Sequence, residues 1–213
     1  MNARIVLLVT VCLVVASGCT VISFYPLYTQ DKLIRDDRII GKWESYTDDF
    51  RKDTLVWSIS ISDKKWNKKV NNPFDRGDRE VPNNYTYTLD LYYKSEPKDS
   101  GVFNLHIVKL GNQTYLDFYP EQWNNNNDIM AVHLVPVHTF AKAKINNDLE
   151  IQWFDSDWLQ GLFDENKIRI EHMSNHDYTL LTAKPEELQK FVVKYANEQE
   201  AFSDDLKYTL RRI

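Results

Sequence analysis

Cysteine is almost missing from this chain: Cys12 and Cys19 are the whole complement in 213 residues. Cys12 lies inside an apolar N-terminal run, so the body of the chain has no cysteine pair and no disulfide framework. Glycine is also scarce, at six residues. None is grouped into a phosphate-cradling loop, and no Ser elbow or Cys nucleophile motif is present. Excess basic charge is lacking. The formal net charge is −5, which argues against nucleic acid, since such binding needs a clustered basic face. Beyond the N-terminal run no apolar stretch is long enough to span a bilayer. Metal-site spacing is missing as well. His133 and His138 stand five apart and would face opposite sides of an unbroken strand, and a site needs three or four ligands. Neither a metal nor another cofactor is expected. Aromatic residues, by contrast, are abundant at 13%, enough to build a sizeable core.

The N-terminus is the most legible segment. Arg4 precedes an uncharged apolar run from Ile5 to Ala16. That run is shorter than a comfortable spanning helix and has the layout of a secretory signal. The stretch Ala16-Ser17-Gly18-Cys19 then resembles the lipobox of bacterial lipoproteins, with Ala16 where Leu is commoner. The resemblance implies cleavage after residue 18, acylation of Cys19, and attachment to a membrane through that lipid. Thr20, a non-acidic residue, implies the outer membrane, facing the periplasm. Several acyl chains on one residue make such attachment effectively permanent. The expected organisation is a signal peptide over 1–18, a lipid-anchored tether and lead-in over 19–40, and a single β-rich domain over 41–213.

From Gly41 onward the apolar period is mostly two. "DTLVWSISIS" sets Leu55, Trp57, Ile59 and Ile61 against Ser58 and Ser60. "YTYTLDLYY" and "VFNLHIVKL" alternate in the same way. Gly111-Asn112 reads as a two-residue hairpin turn, with "QTYLDFYP" returning. A longer β-rich run ends at Ile145, "LEIQWF" follows, and "KIRIEHM" and "YTLLTA" read as shorter strands. "DSDWLQGLF" reads as a short helix whose Asp and Ser suit a cap better than acid/base chemistry. "KPEELQKFVVKYANEQ" reads as a second helix, with Pro185 at its first position and Leu188, Phe191, Val192 and Tyr195 in one stripe. The class is mainly β: an up-and-down barrel or a sandwich of about eight strands, with a C-terminal helix.

Within this pattern, Ile40-Gly41-Lys42-Trp43 resembles the Gly-any-Trp motif that opens the barrel of lipocalins and lipocalin-like bacterial lipoproteins. The resemblance implies a barrel whose floor is closed by Trp43. From "YPLY" to the second helix the chain also resembles envelope lipoproteins of unsettled function.

Three functional classes follow. In the first, the barrel holds a small apolar or amphipathic ligand. Large inward candidates, Trp43, Trp57, Tyr87, Tyr115 and Trp153, would line the pocket or fill the core. In the second, a filled domain docks an envelope protein partner through loops bearing Trp66 and Trp123. For the third, an enzyme, no residue pattern speaks. The basic stretch Lys64–Lys69 and the triplet Arg76–Asp78 read as solvated loop.

Overall fold

The computed structural model describes residues 20–45, 53–62, 85–121, 135–175, 178–202 and 204–213. Residues 1–18 and Cys19, with the expected signal and acylation, lie outside them. So do Lys64–Lys69, Trp66, Arg76–Asp78, Trp123 and His133.

Eight strands close into an antiparallel barrel. They are β3 (Gly41–Ser45), β4 (Leu55–Ile61), β5 (Thr86–Tyr93), β6 (Ser100–Leu110), β7 (Gln113–Pro120), β8 (His138–Ile145), β9 (Asp148–Trp153) and β12 (Lys207–Arg212). Each pairs with the next, and β12 inserts between β9 and β3 to complete the ring. Full closure leaves no free sheet edge in the barrel. The fold is therefore the barrel and not the sandwich.

The two-residue alternation decides which side chains point inward. Trp43, Trp57, Ile59, Tyr87, Leu89, Leu105, Ile107, Leu116, Phe118, Leu149, Ile151 and Leu210 form one buried cluster inside the ring. Ser58, Ser60, Thr86, Thr88 and Asp90 alternate with them on the outside. At the β6–β7 turn, Gly111 has φ 57°, a conformation that costs glycine nothing.

A second core covers one outer flank. Helix α1 (Ser156–Asp164) and helix α2 (Pro185–Tyr195) lie outside the ring. Val108, Tyr115 and Phe140 point outward to meet Leu159, Leu188, Phe191 and Val192 from these helices. Asp155 caps α1, accepting from the backbone N–H groups of Asp157 and Trp158 at 2.8 and 3.1 Å, as its position before the helix suggested.

The structure refines three sequence expectations. First, the lead-in over 20–40 contains two short strands. Strand β1 (Ile22–Ser23) pairs with β8 and with β11 (Thr179–Leu181), and β2 (Leu33–Ile34) pairs with β6. Buried Val21, Leu27 and Leu33 hold this segment to the flank. Second, the expected C-terminal helix is present as α2, and a strand not read from the sequence, β12, follows it and completes the barrel. Third, "KIRIEHM" is strand only from His172, in β10 (His172–Ser174), which pairs with β11.

Candidate functional site: the barrel mouth

The two ends of the barrel differ. At the floor, Gly41 leads into β3 and the 3-10 turn Asp37–Ile39 folds under the ring. Trp43 is fully buried, and its indole N–H donates to the Ile39 carbonyl at 2.8 Å. The Arg212 guanidinium lies 4.3 Å from the centre of the Trp43 ring. It donates to the carbonyl of Ile40 at 2.8 Å and also to that of Arg38. Tyr87 accepts from the Asp36 backbone N–H at 3.0 Å, and burial raises its phenol pKa above the ordinary value. Ile39 is buried and packs into the inner cluster. Around Trp43 the floor is thus closed by apolar contact, a cation over an aromatic face, and satisfied carbonyls, with the aliphatic Ile40 and Ile61 partly buried beside it.

At the opposite end the inward side chains are aromatic and leucine, and several are only partly covered. Leu55, Leu91, Phe103 and Trp153 pack on the inner cluster without being fully buried. Trp153 stacks on Phe118 at 5.6 Å, lies 6.2 Å from Trp57 and meets the Tyr208 ring edge-on at 5.5 Å. Tyr208, on the inward face of β12, is 39% exposed and forms part of the rim. The Trp57 ring meets Phe118 edge-on at 5.9 Å, and its indole N–H has no hydrogen-bond partner among the described residues. Below this layer the middle of the barrel is packed, with Trp43, Leu105, Leu116, Ile151 and Leu210 fully buried. The mouth end is therefore a partly covered aromatic layer over a filled interior. Aromatic faces and edges of this kind suit apolar bodies and flat rings. A cleft of about 310 Å³ at the floor end, lined by Asp36, Arg38, Asn112, Gln113, Thr114 and Lys144 among others, is mainly polar.

The five aromatic candidates separate. Trp57 and Trp153 belong to the mouth layer. Trp43 and Tyr87 belong to the floor. Tyr115 points outward, corrected from an inward position, because it shares its strand face with Asp117 and Tyr119 rather than with Leu116 and Phe118. Its hydroxyl donates to the Val192 carbonyl of α2 at 3.3 Å, and burial pushes its pKa up to about 12. Phe118 and Tyr208 were not singled out from sequence. Phe118 alternates in step with Leu116, which is the signal that places it inside.

A buried polar cluster sits on the outer flank. Asp117 is fully buried; one carboxylate oxygen accepts from the Leu27 backbone N–H at 2.8 Å, and the other lies 2.8 Å from His138 Nδ1. His106 stands directly opposite Asp117 on β6, with Nε2 3.1 Å from Thr86 Oγ1. Burial holds the His106 imidazole down to about 4, despite the upward pull of Asp117. Gln189 of α2 donates to the Leu27 carbonyl and to Thr29 Oγ1, both at 3.1 Å. These groups fasten the lead-in to the barrel. Among the described residues no group of three or more His, Cys, Asp or Glu side chains is placed to hold a metal ion. No helix among them is long and apolar enough to cross a membrane.

No known protein family matches the chain, nor does any curated protein or solved structure.

Proposed function

We propose that this is a lipid-anchored protein of the bacterial cell envelope that holds a small apolar or amphipathic ligand in its aromatic cup. The observation that carries the reading is the contrast between the ends: a floor closed over Trp43, where aliphatic Ile40 and Ile61 are partly buried, and a rim where the large rings of Trp153, Phe103 and Tyr208 remain partly exposed beside Trp57 and Phe118. Leaving large apolar rings in water is costly, at about 25 cal/mol per Å². A ligand that covers them recovers that energy. The anchor in this proposal is an acylated Cys19, placing the protein at the outer membrane facing the periplasm. Kinship with lipocalin-like lipoproteins is part of the same proposal; the closed barrel opening at Gly41 and Trp43 supports it.

A titration with an environment-sensitive lipid probe tests the cup. The expected result is saturable binding that quenches tryptophan emission, weakened about tenfold or more by Trp153→Ala, since loss of one buried aromatic contact is worth roughly 1.4 kcal/mol or more. No saturable uptake by the native protein would sink the reading.

One observation favours a second reading. The packed middle of the barrel leaves no described space for a long ligand. An accessory lipoprotein that docks an envelope protein partner through its rim accounts for that packing. Capture of a defined partner, lost with Tyr208→Ala, together with no uptake of small apolar probes, would favour it.

A further inference from the structure

The lipid anchor and the mouth belong to the same end of the molecule. Thr20, the first described residue, forms a β-bridge with Asp155. Asp155 stands two residues after Trp153, whose ring belongs to the mouth layer. The Val21 N–H donates to the Phe154 carbonyl at 3.2 Å. Strand β1 then runs alongside the start of β8, Ile22 opposite Thr139 and Ser23 opposite His138, where β8 leaves the mouth. Consecutive Cα atoms are about 3.8 Å apart. An acyl group on Cys19 would therefore join the fold with no spacer, and whatever surrounds Thr20 would lie at headgroup level.

Uncovered apolar side chains stand near it, set among polar ones such as Glu171, His172 and Ser174. Six large apolar side chains are exposed among the described residues. Val135, just before β8, and Tyr208, on the rim, are at the mouth end. Met173 and Tyr178 are on the β10–β11 hairpin, which borders β1: Met173 pairs with Leu180, and Leu180 with Ile22. Continuing that register sets Tyr178 level with Thr20. Met173 is 67% exposed and Tyr178 53%. The other two, Val193 and Ile213, lie elsewhere, on α2 and at the floor. Tyrosine with an apolar body and a polar tip is favoured at a membrane–water boundary.

We propose that the mouth end is a membrane-contact surface: the β10–β11 hairpin and the rim rest on the leaflet that holds the Cys19 lipid, so the cup exchanges its ligand directly with that leaflet. This rests on the anchored reading above. Contact is through apolar side chains rather than attraction to anionic lipid, because the chain is acidic overall.

The test uses the full chain, purified from membranes and inserted into phosphatidylethanolamine–phosphatidylglycerol vesicles. Intact mass first establishes whether Cys19 carries acyl chains. An environment-sensitive fluorophore is then placed at Tyr178→Cys or, at the floor end, at Asn112→Cys. The expected result is a blue-shifted label at position 178, quenched by lipid-borne quenchers roughly threefold or more above the label at 112, and little changed by salt. An acylated protein with equal quenching at both positions, or stronger quenching at 112, overturns the orientation alone. A protein without acyl chains overturns the anchored reading and the orientation with it.

Discussion

Gly41 shows how a single residue positions an entire barrel end. Its φ is 137°, and a Cβ there would come within 2.7 Å of Arg212 Nη1. That nitrogen is held by the Ile40 carbonyl while the guanidinium covers Trp43, so it cannot simply swing aside. Gly41→Ala is expected to destabilise the fold by about 1–3 kcal/mol, from backbone strain and the close approach together. Chemical denaturation of Arg212→Ala and of the double variant separates the two. The cost of Gly41→Ala should shrink in the Arg212→Ala background, because the contact is then gone. Equal costs in both backgrounds would leave only the backbone term. His106 supplies the second residue-scale prediction. Its folded pKa, about 4, lies below the ordinary 6.5. Between those values the unfolded chain binds the extra proton, so stability rises with pH. It is fully present above about pH 6.5 and is lost progressively as pH falls toward 4. The shift corresponds to about 3 kcal/mol. Urea unfolding midpoints at pH 7.5 and 4.5 measure it, and His106→Gln should flatten the slope.

At the scale of elements, legibility followed the strength of the periodic signal. The strands at Leu55–Ile61 and Thr86–Tyr93, the Gly111 turn and the helix at Pro185 carry their alternation or their caps in consecutive residues, and each is present. Strand β12 was missed because its inward positions are Tyr208, Leu210 and Arg212: a rim residue, a core residue and a cation that serves the floor. Such a face looks polar until its partners are known. The lead-in was missed for a related reason. Its two-residue strands exist only because β6 and β8 run past the ends of β5 and β9, and because β11 lies alongside, and no local pattern announces a pairing made at long range. The mouth layer was partly legible: Trp57 and Trp153 came from alternation, but the separation of floor from mouth depends on strand tilt and closure. Since β12 pairs with both β9 and β3, ending the chain before Lys207 should open the barrel, not merely fray it. The expected outcome is loss of cooperative unfolding and exposure of Trp43, read as a red-shifted tryptophan emission. A truncated chain that still unfolds cooperatively, with native emission, would show that the ring does not need its eighth strand.

The whole molecule combines a small closed barrel with a flank of helices and a lead-in that starts beside the rim and ends under the floor. Eight-strand barrels are just wide enough for side chains to fill or for one small ligand to enter. This barrel is filled from Trp43 to the middle, and its rings are partly uncovered at Trp153, Phe103 and Tyr208. The most direct measurement is native mass spectrometry of the protein from Thr20 onward, purified from a bacterial periplasm without detergent. The account predicts a small apolar or amphipathic passenger bound one to one, displaced by an added lipid probe and absent from the Trp153→Ala protein. A bare protein mass from the native sequence, together with no probe uptake, would contradict it and leave the rim as a protein-docking surface.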